Sequence, residues 1–253
     1  MKFLKVEASP HWGLLITYHA FTKSRPAVKI IPPTTLIGAL AQPIAQQLRW
    51  PENTGQRSSA DIIRSRFRGI YLALNLPFVE YSDLTKIFSY DPDDKQILKD
   101  AAAVAKIYTG PSPDSSRSLR VVYVFDENGM ESEFGPRWEE VLVPAAWSIS
   151  RFGARESIVS VNSVAYGDLE VVEAREAETN YYFPADRQIP TSGSYFFASV
   201  VDWRTSSIGD YVGKPTVQLI VPYDIDRRVL STVKVKPRDG AVYIADGEVL
   251  IPW

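Results

Sequence analysis

Proline and glycine interrupt this chain along its whole length. The 253 residues include 18 prolines and 14 glycines, with no low-complexity tract and no internal repeat. Breaks of this frequency limit how long any regular element can be. Near the N-terminus, residues 2–8 and 14–19 carry the β-branched and aromatic side chains typical of strands.

The segment Pro32–Ala41 (PPTTLIGALA) predicts the beginning of a helix. Its two prolines end an extended stretch, Thr34 or Thr35 can cap the helix, and the apolar run after them opens it. Gly38 inside a helix costs about 1 kcal/mol relative to alanine, so we expect it to permit close packing. Pro43 is expected to limit or bend this helix.

The rest of the chain predicts further strands and two more helices. We expect strands at 67–81, 120–125, 195–201, 216–222 and 241–251, helices at 95–107 and 137–149, a hairpin joining 158–164 to 168–174, a mobile loop at 108–118 and a polar loop at 50–60. The order of strand, helix, strand, helix, hairpin and strands is typical of an α+β domain, not of a doubly wound sheet.

Composition excludes several functional classes. The chain has no cysteine, so disulfide scaffolds, thiolate metal sites and cysteine nucleophiles are ruled out. Its two histidines, His11 and His19, are too few for a histidine-rich metal centre, and no cofactor is expected. No apolar run approaches the roughly 20 residues that a membrane helix needs, and no signal peptide is predicted, so we expect a cytoplasmic protein.

Charge is distributed unevenly along the sequence. Residues 1–70 hold ten Lys and Arg and three acidic residues, a balance of +7, while the net charge of the whole chain is −2. The remaining residues therefore carry −9. Such asymmetry suggests one side that faces a polyanion, although clustering by chance would give the same numbers.

Three features could bind an anion such as a phosphate. The helix start at Pro32–Ala41 offers unpaired amide groups, unless it is simply a capped core helix. Arg64, Arg66 and Arg68 alternate, which places them on one side of an extended segment, where they contact phosphates or only solvent.

The third feature is the glycine-containing segment Ser150–Val161 (SRFGARESIVSV). Gly153 permits a tight bend between Arg151 and Arg155, and Phe152 can stack on a base or pack into the protein. The competing interpretation is a helix C-terminus whose basic residues complement the helix dipole.

Together, His11-Trp12-Gly13, Pro32–Ala41 and Ser150–Val161 resemble Cas protein family number five, a CRISPR-associated branch of the RAMP superfamily. The type I-A (Apern) branch, which is archaeal, is the most similar. The resemblance extends along essentially the whole chain but is specific only in these three blocks.

The resemblance implies a ferredoxin-like (RRM-like) domain with an inserted β-hairpin thumb and a C-terminal β-rich region, here divided as 1–165 and 166–253. It implies a non-catalytic subunit of the Cascade interference complex that holds the 5′ handle of the CRISPR RNA (crRNA). The implied partners are crRNA, the Cas family seven backbone subunit, whose filament it caps, and the large subunit. The thumb is expected at 108–118 or at 50–60.

RNA contact is carried over from the family first to the glycine-containing loop and less strongly to the helix start. Neighbouring basic residues are added for their position, and the three alternating arginines for their charge and spacing alone. The predicted RNA-binding residues are Lys23, Arg25, Lys29, Thr34, Thr35, Arg64, Arg66, Arg68, Arg117, Arg120, Arg151, Gly153, Arg155 and Ser157.

Two other functions remain open. A type I-C branch of the resembled family cleaves precursor RNA without metal, and Tyr18, His19 and Lys23 could form such a site here. Alternatively, the protein is a purely structural assembly subunit whose basic stretch meets an acidic protein.

Overall fold

We describe the protein from a computed structural model. The structure describes residues 1–16, 24–25, 27–51, 53–54, 57–108, 118–186 and 188–253. The chain is a mixed α/β protein, rich in strands and with few helices.

The helices, in chain order, are α1 (Pro33–Leu48), α2 (Ala60–Arg64), α3 (Glu127–Phe134) and α4 (Glu139–Trp147). The strands before α3 are β1 (Lys2–Pro10), β2 (Gly13–Leu14), β3 (Ser24–Arg25), β4 (Asn53–Thr54), β5 (Arg57–Ser58), β6 (Phe67–Leu74), β7 (Val79–Asp91), β8 (Gln96–Tyr108) and β9 (Leu119–Phe125). The strands after α4 are β10 (Val159–Asp168), β11 (Glu170–Glu173), β12 (Ala177–Thr179), β13 (Phe183–Pro184), β14 (Tyr195–Val201), β15 (Thr216–Asp224), β16 (Val229–Leu230), β17 (Val233–Val235), β18 (Ala241–Ala245) and β19 (Glu248–Leu250).

Four antiparallel strands form the central sheet, in the order β10-β1-β9-β6. Helix α1 connects β1 to β6, and α3 and α4 connect β9 to β10. The core of this half therefore follows a βαββαβ path with its strands in the order 4-1-3-2. The predicted strand at 120–125 and the predicted helix at 137–149 are confirmed as β9 and α4.

The inner strand β9 of the central sheet is buried on both faces. In β9, Val121 and Tyr123 point into the core shared with the helices, whereas Val122 and Val124 pack against the C-terminal region. The Tyr123 hydroxyl donates a hydrogen bond of 3.0 Å to the carbonyl oxygen of Leu36, which anchors α1 on the sheet. Because neither face meets water, β9 is apolar along almost its whole length.

Helix α1 begins earlier and ends later than the sequence predicted. Pro32 occupies the N-cap position without a side-chain cap bond, so Thr34 and Thr35 lie inside the first turn and do not cap it. Pro43 does not end the helix, which continues for another turn to Arg49, a C-cap residue in the left-handed conformation with φ of 54°.

The predicted helix at 95–107 is wrong. This segment is β8, which pairs with β7 over its full length in a long antiparallel hairpin. The Asp91 carboxylate accepts hydrogen bonds from the amides of Asp93 and Asp94 and closes the turn between the strands. Spaced apolar residues and alanines are compatible with either structure, and pairing with β7 decides for the strand.

The predicted hairpin around Tyr166 and Gly167 is also wrong. Strand β10 runs through both residues to Asp168, paired with β1, and β11 pairs instead with β18. Gly167 lies opposite Phe3, where a Cβ atom would come within 3.2 Å of the phenyl ring. The glycine makes room for that ring, and no turn forms here. The predicted strand at 67–81 is likewise two strands, β6 and β7.

The C-terminal region is built from small antiparallel sheets, and the strands predicted at 195–201 and 216–222 are present. The strand predicted at 241–251 is instead a hairpin of two short strands, β18 and β19. One hydrophobic cluster contains residues from both halves, among them Leu4, Leu36, Trp203 and Tyr223. The halves thus share a core, and the division at residue 165 stays a prediction.

Candidate nucleic-acid interface

A groove of about 690 Å³ follows the outer face of α1. The inner face of this helix carries buried apolar side chains, so small and polar residues remain on the outer face. The groove floor is formed by Thr35, Gly38, Gln42, Gln46 and Arg49. A hypothetical Cβ atom at Gly38 has no neighbour within 4 Å, so the expectation of close packing at this glycine is wrong.

The glycine-containing loop forms one wall of the groove through Arg151 and Gly153. Gly153 has a φ of +106°, and a Cβ atom there would lie 3.0 Å from both the Leu15 carbonyl oxygen and Ile16 Cγ1. The predicted tight bend is therefore confirmed. Arg151 and Arg155 are exposed and have no ion-pair partner in the part of the chain that the structure describes.

Two other residues of this loop point inward. Phe152 is fully buried, so it packs into the core and is not available to stack on a base. Ser157 is also fully buried, and its Oγ accepts a 2.8 Å hydrogen bond from the amide of Leu15. The side chain of Ser157 holds the loop in place and does not face the groove, contrary to the predicted RNA contact.

The opposite wall comes from the start of α2 and from the loop between β14 and β15, where Ile208 and Tyr211 line the groove. Asp61 in α2 accepts a 3.0 Å hydrogen bond from the Ile208 amide through Oδ1. Arg64 bonds the same oxygen at 2.9 Å and donates to the carbonyl oxygens of Trp203 and Arg204, each at 3.0 Å. These bonds fix the loop against α2.

The three alternating arginines do not share an extended segment. Arg64 ends α2, Arg66 lies in the following turn, and only Arg68 is in a strand. Arg66 pairs with a carboxylate oxygen of Glu133 at 2.8 Å, and Arg68 pairs with Asp126 at 2.5 Å. Because each guanidinium is engaged within the protein, the predicted row of phosphate contacts has no geometric basis.

Arg120 is likewise engaged inside the protein. It pairs with Glu248 at 2.5 Å and lies over the ring of Tyr181, where the C-terminal region covers the central sheet. Burial, and to a smaller extent the nearby Glu248 carboxylate, raise the pKa of Tyr181 well above its ordinary value. This buried arrangement joins the two halves of the protein and leaves Arg120 away from the groove.

The remaining predicted contacts differ in position. Thr34 is largely buried but lines the groove, where its side chain interacts with the Tyr211 hydroxyl. Lys29 is exposed outside the groove, 3.9 Å from a Glu80 oxygen. The backbone of Arg25 forms part of β3, but its side chain is outside the described part. Four further residues, Lys23, Arg117, Tyr18 and His19, lie outside the described residues altogether.

Sequence reasoning missed Arg49, Gln42 and Gln46. They continue the exposed face of α1 at helical spacing from Thr35 and Gly38, and this periodicity was available in the sequence. A helix limited by Pro43 would not extend to Gln46 and Arg49, whereas α1 continues to Leu48. Among the described residues that line the groove none is acidic, so its two arginines give it a positive charge.

Other kinds of site have less support in the structure. The described residues contain no group of three or more His, Asp or Glu side chains that could hold a metal ion. Within the same ranges no helix is long and apolar enough to cross a membrane.

No protein-family model matches the chain. Two curated proteins from Saccharolobus solfataricus match almost its full length. CRISPR system aCascade subunit Cas5 1 is 28% identical over 255 residues, and CRISPR-associated protein Cas5 3 is 28% identical over 260 residues; each match covers 99% of both chains. The crystal structure of a CRISPR protein from Archaeoglobus fulgidus superimposes with a TM-score of 0.66 at 23% identity, covering 100% of this chain and 99% of that one.

The likeness to the Archaeoglobus structure is one of fold. The sequence matches extend over both halves of the chain, including α1 and the glycine-containing loop, and they make the chain similar to CRISPR-associated proteins. Both of these relatives carry the name Cas5, and the chain is similar to them over almost its full length.

Proposed function

We propose that this protein is a non-catalytic crRNA-binding subunit of a type I-A Cascade complex, and that the groove along α1 holds the 5′ handle of the crRNA. The observation that carries the proposal is the meeting of two distant segments, α1 and the glycine-containing loop, in one open groove. This groove contains arginines and, among its described lining residues, no acidic side chain. One full-length relative is named as a subunit of aCascade, which supports the assignment to this type of complex.

The groove suits an RNA backbone chemically. Arg49 and Arg151 supply positive charge for phosphates, and the side-chain amides of Gln42 and Gln46 can donate hydrogen bonds to phosphate or ribose oxygens. Gly38 and Gly153 carry no side chain, so an RNA strand can approach the protein backbone closely at both positions. Backbone contacts of this type bind RNA with little dependence on sequence.

The hairpin β7–β8 is proposed as the thumb of a ferredoxin-like domain, in place of the two segments favoured by the sequence. It is inserted between β6 and β9, and its strands of 13 residues each span about 40 Å at ~3.3 Å per residue. Near its tip, Phe88, Tyr90 and Ile97 are each more than 60% exposed. Such a surface suits assembly with other subunits, here proposed as the Cas family seven filament and the large subunit.

The groove is tested by measuring the binding of the full-length protein to single-stranded CRISPR repeat RNA at several salt concentrations. Arg49→Ala and Arg151→Ala are expected to weaken binding severalfold each. Each lost phosphate contact should also reduce the slope of log affinity against log salt by about 0.7. Arg227→Ala is the matched control, because Arg227 is exposed in the turn after β15 and does not line the groove.

Equal effects of the groove and control substitutions would contradict the proposal. The same samples are analysed for cleaved RNA, since metal-independent products that disappear in His19→Ala would favour the endoribonuclease. Absence of RNA from the purified complex would favour a purely structural subunit.

A further inference from the structure

A second cavity, of about 300 Å³, opens beside the groove. It lies between the N-terminal end of α1, the edge formed by β14 and β15, and the loop Tyr211–Lys214. The two cavities share three lining residues, Thr34, Thr35 and Tyr211. An RNA strand that lies in the groove would therefore pass the entrance of this side pocket.

The lining of the side pocket differs from that of the groove. Ile16, Val28 and Val200 are buried apolar residues that form its inner wall, and the Val28 amide donates a 2.8 Å hydrogen bond to the Ile16 carbonyl oxygen. The polar groups at its edge include the hydroxyls of Ser199 and Thr216. A small number of polar groups on apolar walls is typical of a pocket for a flat, partly apolar ligand.

The side pocket has no free charge among its described lining residues. Its one cation, Lys214, pairs with a carboxylate oxygen of Asp210 at 2.8 Å, so its charge is already compensated. The pocket is therefore unsuited to a phosphate and suited to an uncharged heterocycle. Its volume is at the lower end of the range of about 300–1,000 Å³ for small-ligand pockets, which fits one nucleobase.

We propose that the side pocket takes one unstacked nucleobase of the RNA strand whose backbone occupies the groove. This inference rests on the proposed function. Proteins read single-stranded RNA by splaying bases out of the strand and burying them against side chains. The hydroxyls of Ser199 and Thr216 can both donate and accept hydrogen bonds, so we expect the pocket to bind a base with low specificity for which base it is.

An abasic scan tests this inference. Full-length protein is bound to single-stranded repeat RNA and to a series of RNAs that each lack one base, and affinity is measured by fluorescence anisotropy. One position in the wild-type series is expected to show a loss of about tenfold or more, the scale of one stacked base.

Ser199→Phe adds bulk at a pocket-lining residue in an exposed strand position, where an aromatic residue is well tolerated. The loss at that one RNA position is expected to fall below about twofold in this variant. Gln218→Phe is the matched control, because Gln218 pairs with Ser199 across the strands and does not line the pocket. Thr216→Phe is a second filling variant, for use if the thermal midpoint shows that Ser199→Phe is unfolded.

The outcomes separate the two proposals. RNA binding that responds to Arg151→Ala, combined with an abasic scan that has no sensitive position or is unchanged by pocket filling, would overturn the side pocket alone. Absence of RNA binding altogether would overturn both proposals.

Discussion

Arg64 is expected to stabilise the wall of the groove, and its replacement by alanine tests that role. Its guanidinium joins α2 to the loop between β14 and β15 through Asp61 Oδ1 at 2.9 Å and two carbonyl oxygens at 3.0 Å, those of Trp203 and Arg204. Arg64→Ala removes all three bonds at once. Among the described residues, the Asp61 carboxylate then keeps one bond, from the Ile208 amide.

The expected loss of stability in Arg64→Ala follows from the burial of the ion pair. The side chain of Arg64 is 21% exposed and that of Asp61 is 8% exposed. A hydrogen bond to a charged group contributes about 1.5–3 kcal/mol, and removing one partner of a buried ion pair costs about 3–5 kcal/mol. Because Asp61 retains one donor and Arg64 is partly exposed, we expect a loss of about 2–4 kcal/mol in the free energy of unfolding.

The matched control is Arg68→Ala. Arg68 belongs to the same predicted row of arginines, and its ion pair with Asp126 is formed by a side chain that is 53% exposed. Exposed pairs of this type contribute about 0–1 kcal/mol.

Thermal unfolding, followed by tryptophan fluorescence, measures both variants. At about 2–4 °C per kcal/mol, Arg64→Ala should lower the midpoint by about 5–15 °C and Arg68→Ala by less than about 4 °C. Equal shifts in the two variants would refute the reasoning, because they would mean that Arg64 is no more engaged than a surface residue.

Three further substitutions follow from the geometry. Gly153→Ala is expected to destabilise the protein by about 1–3 kcal/mol in urea unfolding, since the new Cβ atom would press on the Leu15 carbonyl oxygen at positive φ. Gly38→Ala should raise the free energy of unfolding by about 0.5–1 kcal/mol, because alanine favours the helix and its methyl group meets no neighbouring atom. A decrease would contradict the open space above Gly38 on the groove floor. Burial opposes ionisation of Asp202, but hydrogen bonds from Arg204 lower its pKa overall. That stabilisation is present above the unfolded pKa of about 3.9 and is lost as the pH falls through the folded pKa. In Asp202→Asn the urea unfolding midpoint should therefore decrease less between pH 5 and pH 2 than in the wild type. An equal decrease in both proteins would show that Asp202 does not cause this pH dependence.

Local sequence patterns were sufficient to predict β9 and the start of α1. The apolar run of β9 and the two prolines before α1 predicted a strand and a helix start because chain chemistry alone restricts both. The segment 95–107 failed because spaced apolar residues and alanines are compatible with a helix or a strand, and only its partner β7 distinguishes them.

Partners that are distant in sequence also decided which residues face the groove. The sequence located the glycine-containing loop and the helix start correctly, and each contributes to one wall or to the floor of the groove. It placed Ser157 on the RNA side, whereas the amide of Leu15 draws its hydroxyl inward across 142 positions of sequence. No local pattern reports a partner at that distance.

The sequence by itself determined the β9 strand, the approximate start of the α1 helix and the bend at Gly153, since propensity and backbone sterics act on neighbouring residues. Only the tertiary structure decided which arginines remain available for RNA. Arg66 and Arg120 meet their carboxylates 67 and 128 positions away, while Arg49 and Arg151 meet none in the described part of the chain. The physical reason is that a charged side chain is committed by the groups that folding brings within a few ångströms of it, and those groups come from distant segments.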